Sequence, residues 1–221
     1  MPIKALVAWS SGKDCAFALD RVRRAGDVEV VGALTTVTDA FKRVSMHGVR
    51  EEVLRAQLVA AGLAPWIIPI PYPCPNAVYE AAMAEATARA KRAGVTHIVF
   101  GDLFLRDVRA YRERMLADTG ITPLFPLWDE PTPALAREMI ASGLKATLVT
   151  VDLAKLPASF AGRTFDAALL ADLPEGVDPC GENGEFHTCV TAGPMMARPL
   201  AVATGEVVSR DGFAFCDLTL A

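Results

Sequence analysis

Short uncharged runs alternate along the first half of the chain with longer stretches in which apolar residues return every three or four positions. Residues 4–9 form an apolar run closed by small polar residues, and after it Cys15, Leu19 and Val22 repeat at helical spacing, so the chain opens as strand, tight loop, helix. Residues 28–37 (VEVVGALTTV) are β-branched and nearly uncharged, and within 48–61 Leu54, Leu58 and Ala61 fall at i, i+4 and i+7, which predicts a second strand and helix. The next segments predict a short strand over 66–70 and a helix over 76–93 with Tyr79, Met83, Ala86 and Ala90 on one stripe. A strand over 95–100, a helix near 105–119 and a brief strand near 123–125 follow. Such alternation marks βαβ units, in which a parallel sheet is covered on both faces and ligands sit beyond the carboxyl ends of the strands.

After Trp128 the rhythm changes. Residues 129–133 (DEPTP) read as a linker or helix entry, and a helix to about residue 142, a strand over 146–151 and a helix around 164–171 follow. A Pro- and Gly-rich loop over 174–193 then leads to two strands, 199–209 and 212–220. The pattern predicts an α/β protein with a Rossmann-like parallel sheet and helices on both faces over 1–128, and a smaller C-terminal α+β unit over 129–221.

With 221 residues, 52% hydrophobic and 22% charged, the chain has the composition of a folded protein with a substantial core. A net charge of −4 withholds the basic footprint of an extended duplex-binding surface, so no duplex nucleic-acid partner is expected. The charge-free run 56–79 is long enough to span a bilayer but holds Pro65, Pro69, Pro71, Pro73 and Pro75, and the N-terminal run meets Ser10 to Asp14 before a signal-peptide core can form. No membrane segment and a cytoplasmic location are therefore expected. Five cysteines form no CxxC pair, which points away from a structural zinc site or a thioredoxin-type motif.

Two segments concentrate groups able to do chemistry. The first is Trp9-Ser10-Ser11-Gly12-Lys13-Asp14-Cys15, at the first strand-to-helix turn. A helix N-terminus offers unpaired N–H groups and a partial positive charge, which suit a phosphate. Gly12 lets the backbone approach closely, Ser10 and Ser11 add hydroxyls and Lys13 adds a point charge. A Walker A loop is excluded, because its first Gly and its Ser or Thr are replaced by Val7 and Asp14. The same pattern also suits an N-capped helix with Asp14 complementing the dipole. The second segment is 177–189 (VDPCGENGEFHTC), whose acids, His, Asn and glycines suit curling around a small polar ligand or metal, or equally a solvated turn before a strand. His47 reads as a phosphate- or substrate-facing residue or as an ordinary capping or core His. Arg109, Arg112 and Glu113 either face a cleft or form a surface ladder. His97 reads as structural, and Trp128 as lining the cleft or packing a hinge.

Ser10 to Cys15 resembles the SGGxDS pyrophosphate loop of the N-type ATP pyrophosphatases, with Ser11 at the second Gly and Cys15 at the last Ser. Residues 181–188 (GENGEFHT) resemble the second signature of the diphthine–ammonia ligase family, ATP-dependent amidases of the same fold. Val44 to Arg50, Gly101-Asp102-Leu103 and Pro126-Leu127-Trp128 match in order. Asn183 and His187 depart from the GEGGEYET of ligases that make diphthamide and resemble a bacterial branch, for which diphthamide is not the expected product.

The resemblance implies a PP-loop, HUP-type Rossmann fold and a ligase in which a carboxylate attacks the α-phosphorus of ATP, pyrophosphate leaves, and ammonia or an amine displaces AMP. ATP and Mg²⁺ are the implied cofactors. Ser10, Ser11, Gly12, Lys13 and Cys15 would cradle pyrophosphate, Asp14 would serve the helix entry and Mg²⁺, and Thr35, Thr36 and Val37 would edge the adenine. His47, Gly101 and Asp102 would complete the ATP site. Gly181, Glu182, Asn183, Gly184, Glu185, His187 and Thr188 would bind the acceptor or guide ammonia. Lys13, Glu185 and His187 would be catalytic, His187 with an ordinary imidazole pKa taking the proton that ammonia loses. The implied partners are a small-molecule or protein-borne carboxylate and ammonia or an amine. With no room for a glutaminase domain, nitrogen would arrive free or from a partner; a homodimer is left open. Two other readings stand beside this one: a PP-loop sulfur-transfer enzyme using Cys180 or Cys189, and a non-catalytic ATP-binding regulatory module.

Overall fold

The computed structural model describes residues 3–221. The first half runs β1 (Ile3–Ala8), α1 (Lys13–Ala25), β2 (Val28–Thr38), β3 (Arg43–Val44), α2 (Glu51–Ala60), β4 (Ala64–Ile70), α3 (Asn76–Arg92), β5 (His97–Val99), α4 (Arg106–Leu116) and β6 (Thr122–Leu124). β4, β2, β1, β5 and β6 lie side by side in that order, all parallel, while β3 pairs antiparallel with Val37 and Thr38 of β2, beyond the point where β1 stops. Strand alternation sorts the two cores. Ala5, Val7, Ala33 and Val99 face α1 and α2, and Leu6, Leu34 and Ile98 face Ala86 and Ala90 of α3 and Leu116 of α4. From β1 the chain winds outward in one direction to β2 and β4 and in the other to β5 and β6. The gap between β1 and β5 is thus the switch point where sheets of this kind take ligands.

The second half runs α5 (Thr132–Ala141), β7 (Lys145–Asp152), a 3₁₀ turn (Ala158–Phe160), α6 (Ala167–Asp172), β8 (Phe186–Ala192), β9 (Val202–Arg210) and β10 (Phe213–Leu220). Its sheet has the order β8-β7-β10-β9 and is antiparallel throughout. Cys189, Val190, Ala214 and Cys216 of this sheet share one core with Phe17 of α1 and Leu54 of α2. The change at residue 128 is therefore a change of strand pairing, and the core continues across it. Val190 N–H donates to Ser11 O at 2.9 Å, and Gln57 Nε2 donates to both Ser11 O (3.1 Å) and Val190 O (2.7 Å).

Several expectations need correction. The loop expected over 174–193 contains β8, whose residues 186–192 pair with β7; the glycines and acids before it masked an ordinary strand. α2 starts at Glu51 rather than residue 48, because Met46 (φ 66°) and Gly48 (φ 69°) bend the chain into a tight turn after β3, an element that the pattern did not predict. β5 keeps only His97–Val99 of the expected 95–100. α6 begins at Ala167, where the Asp166 carboxylate accepts the Leu169 N–H at 2.8 Å, while Thr164 instead bridges Thr147. The proline-broken run 56–79 becomes the end of α2, the edge strand β4 and the start of α3. Among the described residues no helix is long and apolar enough to cross a membrane.

Candidate functional site

The turn after β1 is shaped by backbone. Ser11 sits at φ 73°, in the left-handed region that glycine enters freely and other residues at a cost. The loop thus keeps the backbone form of a glycine, held by the hydrogen bonds that Val190 and Gln57 make to the Ser11 carbonyl. Gly12 caps α1 in an extended conformation, and a Cβ there would meet His47 Cε1 at 2.7 Å. At Gly101 a Cβ would lie 2.6 Å from Cys15 N, so the end of β5 presses directly on the first turn of α1. Lys13 N–H, one of the unpaired donors of that turn, donates to Thr188 Oγ1 at 3.0 Å.

A cavity of about 680 Å³ opens here, at the carboxyl ends of β1, β2 and β5, within the usual range for small-molecule sites. Ser10, Lys13, Asp14 and Cys15 line it from the α1 turn, Thr36, His47, Gly101 and Asp102 from the strand ends, and Gly181, Glu182, His187 and Thr188 from the far loop. The two chemistry-bearing segments therefore form one cavity. The other expected site residues lie outside its lining. Ser11 is fully buried, and strand alternation turns Thr35 and Val37 away while Thr36 faces in. Gly12 backs onto His47 instead. Glu185 is 3% exposed and accepts from Asp178 N–H and Asn183 Nδ2, both at 3.1 Å, so it braces the turn that contains Asn183 and Gly184.

Asn76, Tyr79, Asp107 and Tyr111 also line the cavity and were not singled out by sequence. Tyr79 was legible as part of a helical stripe, and Asp107 only as an acid in the first turn of a helix. Arg112 faces the cavity, 3.6 Å from Asp102, whereas Arg109 pairs with Glu113 at 2.8 Å and lies over Phe125 and Trp128. Trp128 thus packs beside the cavity rather than lining it. His97 meets the Thr96 hydroxyl on the surface.

Lys13 is not a free cation. Its ammonium is 1% exposed as a residue, lies 2.9 Å from both oxygens of Asp14, donates to Cys180 O and sits 5.4 Å from the ring centres of Phe165 and Phe186. Burial works against its charge, but Asp14 and the surrounding acids outweigh it and hold the pKa above the ordinary value. Glu182 accepts the Leu103 N–H at 2.8 Å, and burial, with Asp14 and Asp102 nearby, lifts its carboxyl to about 7. His187 departs from the ordinary imidazole expected of it: burial, aided by the Lys13 charge, lowers it to about 4. Burial, His187 and Lys13 take His47 to about 3. Both rings are neutral at physiological pH. Burial raises Cys15 to about 11, so it is a thiol that donates to Gly12 O at 3.1 Å.

Among the described residues no three His, Cys, Asp or Glu side chains are grouped to enclose a metal ion. The donors do fit a cation of the Mg²⁺ kind, which uses one or two carboxylates together with substrate phosphates. Asp14, Asp102, Asp107 and Glu182 outnumber Lys13 and Arg112 around the cavity, and Asp102 Oδ2 is buried without a hydrogen-bond partner.

The parallel sheet, the switch-point cavity and the attached antiparallel sheet define a Rossmann-like α/β protein. The family model for the diphthamide synthase C-terminal domain matches residues 131–219. Curated relatives named diphthine–ammonia ligase are similar to the chain: the Homo sapiens protein is 34% identical over 46% of this chain and 41% of its own length, and the Danio rerio protein 35% over 46% and 43%. The Schizosaccharomyces pombe protein is 28% identical over 48% of this chain and 18% of its own length. The chain thus spans less than half the length of the relatives it matches. These likenesses are to the C-terminal domain of diphthamide synthase and to proteins named diphthine–ammonia ligase.

Proposed function

We propose that the chain is an AMP- and pyrophosphate-forming ligase that adenylates a carboxylate and joins it to ammonia or an amine. The observation that supports this best is the single cavity in which the glycine-like turn of α1 and the loop 181–188 face each other at the switch point. Adenylation needs positioning and charge stabilisation more than a protein nucleophile. The N-terminal turn of α1, with Ser10, would receive the phosphates. Arg112, facing in from α4, would add charge, and Thr36, the β2 residue on the cavity wall, would lie beside the nucleotide. Lys13 would act in place, joining the α1 turn to the Cys180 carbonyl and fixing Asp14. Asp14, with Asp102 beside it, would hold Mg²⁺, which when bound neutralises charge on phosphate oxygens.

Sulfur transfer is the weaker reading, because it needs a ready thiolate. Burial pushes Cys189 up to about 12 and Cys180 higher still. The relatives' names speak for amidation, with the acceptor to be found by experiment. ATP–pyrophosphate exchange, screened over carboxylate metabolites and then repeated with ammonium, tests the proposal. Exchange with one class of carboxylate and amide formed on adding ammonium are expected. Tight ATP binding with no exchange across the screen would favour the regulatory-module reading.

A further inference from the structure

His47, from the turn between β3 and α2, and His187, at the start of β8, are distant in sequence but stack with ring centres 4.6 Å apart at 34°, both on the cavity wall. His47 Nδ1 lies 3.0 Å from Thr188 O. A carbonyl oxygen only accepts, so Nδ1 carries the proton and Nε2 remains an acceptor. The His47 backbone carbonyl accepts the Thr150 hydroxyl at 3.2 Å, which holds the turn, and the ring's Cε1 lies against Gly12. The ring nitrogens of His187 have no hydrogen bond to the described residues. The charged groups near the pair are Lys13 of α1, held by Asp14, and Glu182 of the same wall.

We propose that this pair is the seat of the nitrogen nucleophile and that it takes the neutral amine, not its cation; the identity of the nucleophile rests on the amide-forming reading above. An N–H donor can bond to His47 Nε2 while its lone pair points into the cavity, where a C–N bond would form as the C–O bond to AMP breaks; AMP leaves with the electron pair, and its phosphate takes the proton that the nitrogen gives up. The carboxylates nearest the pair are already engaged, Asp14 with Lys13 and Glu182 with the Leu103 N–H, so a cation seated on the rings would meet the Lys13 charge with no unengaged carboxylate beside it. The unfavourable environment for positive charge that keeps both imidazoles neutral works equally against ammonium.

Nuclear magnetic resonance of the full chain with isotope-labelled histidine tests this without catalysis. The His47 ring should show the Nδ1–H form, and ammonium chloride titrations should shift its Nε2 signal. The half-saturating total ammonia should fall about tenfold per pH unit between about pH 6 and about pH 8, the slope for binding the deprotonated form. His187→Glu, which puts a carboxylate against His47, should abolish that dependence. A half-saturation independent of pH in the unmodified chain, an Nε2–H form of His47, or no shift at any pH overturns the inference. A chain that shows the shift but makes no amide with any carboxylate instead overturns the ligase reading.

Discussion

Ser11 shows how a residue can depart from a motif while the backbone does not. At φ 73° it carries a left-handed strain, and its buried hydroxyl has no partner. Ser11→Gly should relieve the strain by about 1–2 kcal/mol, offset in part by about 0.5–1 kcal/mol of added unfolded-chain entropy. Urea unfolding should therefore show a net gain of stability, and a loss would mean that the hydroxyl matters more than the backbone. Lys13 is the opposite case, since sequence spacing gave it one role and burial gave it two. Lys13→Met should cost about 2–3 kcal/mol, below the usual range for a broken buried pair because Asp14 keeps 26% side-chain exposure. Adding Asp14→Asn should restore most of that stability, yet pyrophosphate release should stay low; full recovery of release would remove Lys13 from the chemistry. The α1 turn was legible as a strand-to-helix junction, but its pattern also suits an N-capped helix, and only the fold brings Ser10, Lys13, Asp14 and Cys15 onto the cavity wall. The partners of Glu185 were not, because Asp178 and Asn183 reach it through the fold of the loop and not through a pattern.

At the scale of elements, the alternating rhythm of the first half made β1, α1, β2, α3 and α4 readable nearly to their ends. β8 was hidden for a physical reason: its seven residues, FHTCVTA, do not alternate between apolar and polar, and they follow a glycine-rich turn that reads as loop. The packing of β5 on α1 was equally invisible, since only geometry reveals how close Gly101 comes. Gly101→Ala should force the two backbones apart at a cost of about 3 kcal/mol, seen as a lowered thermal midpoint; an unchanged midpoint would mean that β5 can move without penalty. Asp217 of β10 ties the second sheet to the turn carrying His47, with Arg50 at 2.6 Å and Arg43 at 2.8 Å. Burial opposes its ionisation, but these arginines hold its carboxyl down at about 2. Because the folded pKa is below the unfolded one, this stability is present above about pH 4 and is lost as pH falls toward about 2. It amounts to about 1 kcal/mol once solvent screening is allowed for. Unfolding of the unmodified chain and of Asp217→Asn should therefore differ at pH 6 and converge at low pH; a gap that persists into acid would assign the effect to packing.

Across the whole molecule the two sheets share the larger of two cores, and the cavity exists only because both contribute walls. The sequence pattern marked the change of rhythm near residue 128 but carried no information about packing between segments. That packing depends on Cys189, Val190 and Cys216 meeting α1 and α2. Circular dichroism and the fluorescence of Trp9, Trp66 and Trp128 should report one coincident transition, and two separated transitions would show that the halves are independent. The central claim concerns what the shared cavity does to ATP. ATP labelled at the α-phosphorus, incubated with the carboxylate found by exchange and with ammonium, should yield its label as AMP, with pyrophosphate as the other product. Label recovered as ADP, with orthophosphate released, would contradict the account.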